Sequence, residues 1–281
     1  MRKQYNTISS IILIIMAILY ACYVVTFLSR IKLESWTDYL DFDIGDTVIS
    51  FVLMFLLYEW IFVGIHLILR YVYSAKILKI LFDECDPVKY LMEHDSFHKP
   101  NTGSLKIQSL NYLNKYSAYT YLGEFDFARQ IILSSPPPEI VKSQLYAALY
   151  NINAAHQDII DGDYEKARQR LEYVRNMKMP KNIRMTYAFA IDGNEAAILR
   201  KQGHLEESRK LYSSVLQRAV HKIYILNCTY ALGLIDIEEQ KYDEARTAFT
   251  KVAEEGNKLY IASQAKQALL SMTNHSTCIS I

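Results

Sequence analysis

The chain has 281 residues, 31 Lys+Arg against 30 Asp+Glu for a formal net charge of +1, and a hydrophobic share of 51%. A balance this close to neutral provides no positive field for phosphate backbones, which excludes a dedicated nucleic-acid binder. The four cysteines, Cys22, Cys85, Cys228 and Cys278, stand far apart with neither disulfide-framework nor metal-site spacing, as expected of a soluble part kept in a reducing compartment.

From the N-terminus, Ile8 to Leu28 is an almost unbroken apolar run, about 31 Å long as a helix and so long enough to cross a hydrocarbon core. A second run, Val48 to Tyr73, is predominantly apolar despite Glu59 and His66, with Arg70 near its end. Residues 1–73 therefore read as a membrane hairpin with spans at about 8–28 and 48–73 and a short loop at 29–47. The loop carries Glu34, Asp38, Asp41, Asp43 and Asp46 with the interface aromatics Trp36 and Tyr39, and also Arg30 and Lys32. Arg2 and Lys3 precede the first span, while Arg70, Lys76, Lys79 and Lys89 end or follow the second. The excess of cations at both ends predicts that both termini lie in the cytoplasm and the acidic loop outside. A cleaved signal peptide is the competing reading of the first span, but no small-x-small site ends the run and the run is long for a signal core. An ionisable group at the depth of Glu59 costs about 3 kcal/mol. It is expected either to bond a polar group on the facing span, such as Tyr20, Tyr23 or Thr26, and lock the hairpin or a dimer, or to serve a proton or ion path.

Residues 74–104 form the connection. Helix continues from Ser74 to Phe82 and stops at Asp83-Glu-Cys-Asp-Pro87. Asp86 followed by Pro87 is an N-cap and first-turn pair, so a new helix starts there. His94 and His98 share a face of it, with Cys85 nearby, but a fourth ligand for zinc is missing. Pro100-Asn-Thr-Gly103 then breaks the helix.

From 105 to 271 one phrase recurs four times: Gly123-Glu-Phe-Asp-Phe-Ala128, Gly162-Asp-Tyr-Glu-Lys-Ala167, Gly203-His-Leu-Glu-Glu-Ser208 and Gln240-Lys-Tyr-Asp-Glu-Ala245. Each reads as a hinge between two helices, where a residue leaves helical geometry, a large apolar side chain begins the next buried face, and a small residue allows close approach. The small residues lie 39, 41 and 37 positions apart, a period that signifies stacked helical repeats. Helices are predicted at 105–122, 125–133, 139–161, 164–177, 183–202, 205–219, 222–240, 242–255 and 258–271, with a flexible tail at 272–281. Lys166, Arg168, Arg170, Arg175, Lys178, Lys181 and Arg184 form one basic stretch, read as a solvated helix face or a docking face for anionic lipid. There is no Gly-rich phosphate loop, nucleophile elbow or His-Glu-x-x-His, so the reading is not an enzyme and calls for no cofactor or metal.

These phrases resemble the tetratricopeptide repeat family over roughly Leu105 to Lys266. The fourth repeat offers Gly233, Tyr242, Ala245 and Phe249 at pattern positions, the second Ala155, Gly162, Tyr164, Ala167 and Leu171, and the third Ala196, Gly203, Leu205, Ser208 and Tyr212. The first keeps Gly123, Phe125 and Ala128 but places Tyr116 where a small residue is expected. The resemblance implies an α-solenoid of helix hairpins, and with the two apolar spans the expected fold is all-α, a two-helix transmembrane hairpin followed by that solenoid. It implies an inner groove displaying Leu149, Ile152, His156, Asn194, Arg200, Lys201, Asn227 and Tyr230, suited to an extended peptide or protein partner. Leu113 and Ser117 stand where the carboxylate-clamp version has Lys and Asn, which argues against chaperone-tail capture. Cys85-Asp-Pro-Val-Lys-Tyr-Leu91 also resembles a lead-in found in some Gram-positive repeat proteins. The expected protein is thus a bacterial cytoplasmic-membrane scaffold that recruits a protein partner through a cytoplasmic groove and is able to self-associate through its hairpin. The alternative is a small regulatory subunit of a transport or secretion complex in which Glu59 and His66 are functional.

Overall fold

The structure is a computed structural model that describes residues 2–33, 44–98 and 104–278; side chains at 2–3, 27–33, 44–48, 50–51, 181–183, 185–186 and 274–278 are not part of the description. Most of the expected acidic loop, with Trp36 and Tyr39, the Pro100–Gly103 break and the last three residues of the tail lie outside the described residues. Among those described there are thirteen helices and no strand. The chain divides into two compact units, Met1–Ile77 and Leu78–Ile281.

The first unit holds α1 (Arg2–Leu33) and most of α2 (Ile44–Phe82). Both extend beyond the expected spans, because Arg2–Thr7 and Ser74–Phe82 carry no helix breaker and continue the same backbone bonding. The apolar stretches Gln4–Thr26 and Val52–Phe82 are each long enough to cross a membrane. Aromatic side chains hold the two helices together. The Tyr5 hydroxyl lies 2.9 Å from His66 Nε2, and the Tyr5 ring meets Tyr73 edge-on with centroids 5.2 Å apart. Further along, Tyr20 contacts Phe55 at 5.7 Å and Tyr58 at 5.9 Å. Much of the remaining surface is apolar and exposed, including Ile18, Leu53, Trp60 and Ile68.

The second unit opens with α3 (Pro87–Phe97), started as expected by Asp86, whose carboxylate accepts the Lys89 N–H at 2.9 Å. Four helix pairs follow. They are α4 (Leu105–Leu122) with α5 (Phe125–Ser134), α7 (Gln144–Asp161) with α8 (Tyr164–Asn176), α9 (Lys181–Lys201) with α10 (Leu205–Arg218), and α11 (Lys222–Glu238) with α12 (Tyr242–Glu255). Each pair turns through one motif. The hinge residue is left-handed, with φ of 80° at Gly123, 85° at Gly162, 83° at Gly203 and 62° at Gln240. The following N–H reaches back five residues in every case, Glu124 to Tyr119, Asp163 to Asp158, His204 to Leu199 and Lys241 to Asp236, at 2.7–2.9 Å. This is a Schellman closure, which satisfies carbonyls that the helix end leaves free. The small residues Ala128, Ala167, Ser208 and Ala245 are all fully buried, and Ser208 satisfies its hydroxyl by donating to the Ala196 carbonyl at 2.7 Å.

The core is segmented. One cluster joins Leu113, Tyr116 and Ile131 of the first pair to Tyr146 and Ala154 of the second. Another joins Ile152, Leu171 and Val174 to Ile191 and Ile198 of the third. A third joins Tyr212 and Val215 to Cys228 and Ile235 of the fourth. Tyr116, the residue out of pattern, places its hydroxyl 3.0 Å from Nδ1 of His156 in the next pair.

Beyond shifts of one or two residues at several ends, two of the predicted helices differ from expectation. The helix predicted at 139–161 is split into α6 (Pro138–Val141) and α7, because Lys142 turns left-handed at φ 51° and Ser143 restarts the helix. The last helix, α13 (Tyr260–Cys278), begins later than 258 and runs past 271. Its late start reflects a turn at Gly256–Leu259, where Asn257 has φ 48° and the backbone is used elsewhere. The Lys258 N–H donates to the Cys85 carbonyl at 3.3 Å, Asn257 Nδ2 to the Glu84 carbonyl at 2.9 Å, and Lys258 Nζ lies 3.1 Å from Asp86. Tyr260 also meets Phe125 edge-on at 5.5 Å. The end of the second unit thus contacts its beginning, which no local pattern announced.

Candidate functional site

The eight residues expected to line a groove divide by what they touch. Ile152 is buried in the second-to-third cluster, and Leu149 packs against the first-to-second one. Asn194 is buried and donates from Nδ2 to the Ile152 carbonyl at 3.4 Å; Asn153, at the same place in the preceding repeat, donates to the Leu113 carbonyl at 3.5 Å. These bonds are long, but they repeat the same connection between the first helices of successive pairs, α7 to α4 and α9 to α7. Asn227 donates within its own helix to the Ile223 carbonyl at 2.7 Å. Arg200 pairs with Glu238 at 2.7 Å, linking α9 to α11. Tyr230 packs its ring on Phe249 with centroids 5.6 Å apart; burial raises its phenol pKa, Tyr260 adds to this and Arg200 opposes it. The structure therefore brings Asn194 to Ile152, and Arg200 towards Tyr230. His156 bonds Tyr116, and burial lowers its imidazole pKa to about 4. Lys201 alone of the eight is exposed without a partner among the described residues.

Other aromatic side chains of the second unit are likewise engaged by the chain itself. Phe82 packs on Tyr224 at 5.6 Å and on His221 at 5.3 Å, and Asp83 lies 3.0 Å from His221 Nδ1. Tyr121 of α4 is enclosed near Tyr224, Cys228 and Cys85, and burial pushes its phenol well above the ordinary range. Cys85 is fully buried with its thiol pushed up to about 11 by burial, so it is not a reactive nucleophile. His94 is buried with its ring centroid 4.6 Å from that of His98. Among the described residues no group of three His, Cys, Asp or Glu is arranged to hold a metal.

One recurring contact was missed in the sequence. Arg129, Arg168, Arg209 and Arg246 each directly follow the small residue of a hinge phrase. The first three reach across to the residue just before the next hinge: Arg129 to Asp161, Arg168 to Gln202 at 2.6 Å and Arg209 to Glu239 at 2.7 Å. Arg209 also meets the buried Asp236 at 2.6 Å, and Arg168 meets Glu195 at 3.4 Å. Arg246 is exposed without a partner among the described residues, in a shallow depression with Thr247, Thr250, Lys251, Glu254 and Glu255. The signal was an Arg at the same offset in all four phrases. Much of the basic stretch is likewise used internally: Lys166 and Arg170 pair with Asp158 at 3.0 and 2.7 Å, and Arg175 lies 4.0 Å from Glu172. Arg168→Ala is expected to cost about 1 kcal/mol, the scale of partly exposed charge-assisted bonds, read as a lower denaturant midpoint with an unchanged slope.

In the first unit, His66 is taken by Tyr5. Glu59 faces outward and meets none of Tyr20, Tyr23 and Thr26; among the described residues it has no partner. Tyr20 turns instead to Phe55 and Tyr58, and the Thr26 hydroxyl donates to the Cys22 carbonyl at 2.8 Å.

What the fold defines is an all-helical protein with two N-terminal helices long and apolar enough to span a membrane. No family model, curated protein or solved structure matches the chain.

Proposed function

We propose that this is a membrane-anchored scaffold whose helix hairpins form a tetratricopeptide-like array that holds a protein partner at the cytoplasmic face of a bacterial inner membrane. The observation that carries the reading is the register of the four hairpins: one hinge geometry four times, and one Arg contact from each hairpin to the next. Stability built from neighbour-to-neighbour contacts is the energetic pattern of repeat proteins, and such proteins present broad surfaces for other chains. The most apolar stretch of each membrane segment has none of its residues buried, which suits lipid as the surrounding solvent. Cations flanking the spans support cytoplasmic termini.

The partner surface on this reading is centred on Lys201, the groove position whose charge is not spent inside the chain. The test is crosslinking in intact membranes followed by purification of the full chain, comparing wild type with Lys201→Glu. Loss of a protein partner from the variant, with equal amounts of folded chain in the membrane, is the expected result. Identical partners with both chains, or none with either, overturns the scaffold reading at this surface.

A further inference from the structure

Glu59 sits in an ordered setting. Val52, Leu56, Glu59 and Val63 follow one another at intervals of four, three and four along α2, the spacing of a heptad seam. Val52, Leu56 and Val63 are each 48% exposed, and Glu59 is exposed between them. Alongside the seam, the aromatic contacts to α1 come from Phe55 and Tyr58, on a side about a quarter-turn away. The seam is thus open on a helix that already has its intrachain neighbour.

We propose that this seam is the contact between two copies of the chain, α2 against α2, with the two Glu59 carboxyls hydrogen-bonded to each other across a two-fold axis. The proposal rests on the membrane reading given above. Two copies with the same orientation in one bilayer present parallel α2 helices, so each seam residue meets its own counterpart. Branched apolar side chains are self-complementary in this arrangement. A carboxyl group is too, since it accepts through one oxygen and, when protonated, donates through the other. Lipid offers Glu59 neither function, and a polar residue at a single seam position fixes register in helix pairs. Next along the heptad comes His66, whose ring is engaged by Tyr5, and this bounds the contact at Val63.

The test is sedimentation equilibrium of the full-length protein in density-matched detergent micelles, with wild type, Glu59→Gln, Glu59→Leu and Trp60→Ala. Trp60 is 76% exposed and lies off the seam, so it reports on apolar surface alone. Wild type, Glu59→Gln and Trp60→Ala are expected to dimerise alike, because an amide also both donates and accepts. Glu59→Leu is expected to weaken association by roughly five- to thirty-fold, the range for an interhelical hydrogen bond in a membrane. A wild type that stays monomeric, a Glu59→Leu chain that associates as tightly, or a Trp60→Ala chain that weakens as much each overturns the interface. Release of the chain from membranes by alkaline carbonate is a different failure, that of the membrane reading itself.

Discussion

Replacing Gly123 by alanine lowers the unfolding free energy of the second unit by about 2–4 kcal/mol, whereas the same change at Gly162 lowers it by about 1 kcal/mol. Both glycines have positive φ, 80° and 85°, so both variants bear the left-handed strain of an L-residue. Only Gly123 lies against another helix. A Cβ built there would come within 2.4 Å of the Tyr260 ring, while nothing lies within 4 Å of one at Gly162. The ring atoms met are Cγ and Cδ2, near the root of the Tyr260 side chain, so moving its far end does not relieve the overlap. Overlap of this kind in a packed site costs about 1–3 kcal/mol beyond the backbone strain. Denaturant unfolding of the full chain in micelles, followed by circular dichroism, measures both losses. Equal losses would mean that Tyr260 does not close the second unit onto its own first hairpin. The Gly123→Ala/Tyr260→Ala pair is expected to lose less than the sum of its two single changes, since the two side chains share one volume.

Acidification from pH 6.5 to 4 weakens the second unit through His156, by an amount on the order of 1–3 kcal/mol for this half-buried ring. Burial holds the His156 imidazole at about 4, below its ordinary value of 6.5. In this window the unfolded chain takes up a proton that the folded chain refuses. Stability is therefore complete above 6.5 and declines as pH falls towards 4. His94 acts in the same direction, because burial lowers its pKa, with Lys115 assisting and Asp95 opposing. Carboxylates contribute at the acid end, since Glu239 is held low by Lys241 and Arg209 and loses those contacts on protonation. The measurement is the thermal midpoint of wild type and His156→Gln across this range. Gln keeps an acceptor for Tyr116 but does not titrate, so its curve is expected to be distinctly flatter. Parallel curves would show that His156 is not enclosed beside Tyr116.

Much of the helical order was legible because it depends on interactions a few residues long. The hinge at Gly162 is set by a residue that tolerates positive φ and by the apolar Tyr164 that begins the next helix. Asp86 and Pro87 start α3 through contacts within one turn. The break at Lys142 was less legible, since the sequence Ile140 to Leu145 contains no Gly or Pro, and the split accompanies a bond from the Tyr146 hydroxyl to the Pro136 carbonyl at 2.7 Å. Arg209 illustrates a further limit. Its place beside the hinge was visible, but its acceptors Asp236 and Glu239 are 27 and 30 residues away, and no local period joins them.

By itself, then, the amino-acid sequence determined the helical class, the two apolar helices, the four hinges and the small residues that let each pair close. Periodic burial and backbone bonding are short-range, and they are written directly into residue spacing. Tertiary structure decided which side chains remain available. It assigned Asn194 to the Ile152 carbonyl, Arg200 to Glu238 and Tyr230 to Phe249, and it left Lys201 and Glu59 unpartnered among the described residues. It also brought Tyr260 to Gly123 and Lys258 to Cys85. Whether a polar group is spent inside a protein or offered to a partner depends on contacts between segments far apart in the chain, and these are set only when the helices pack.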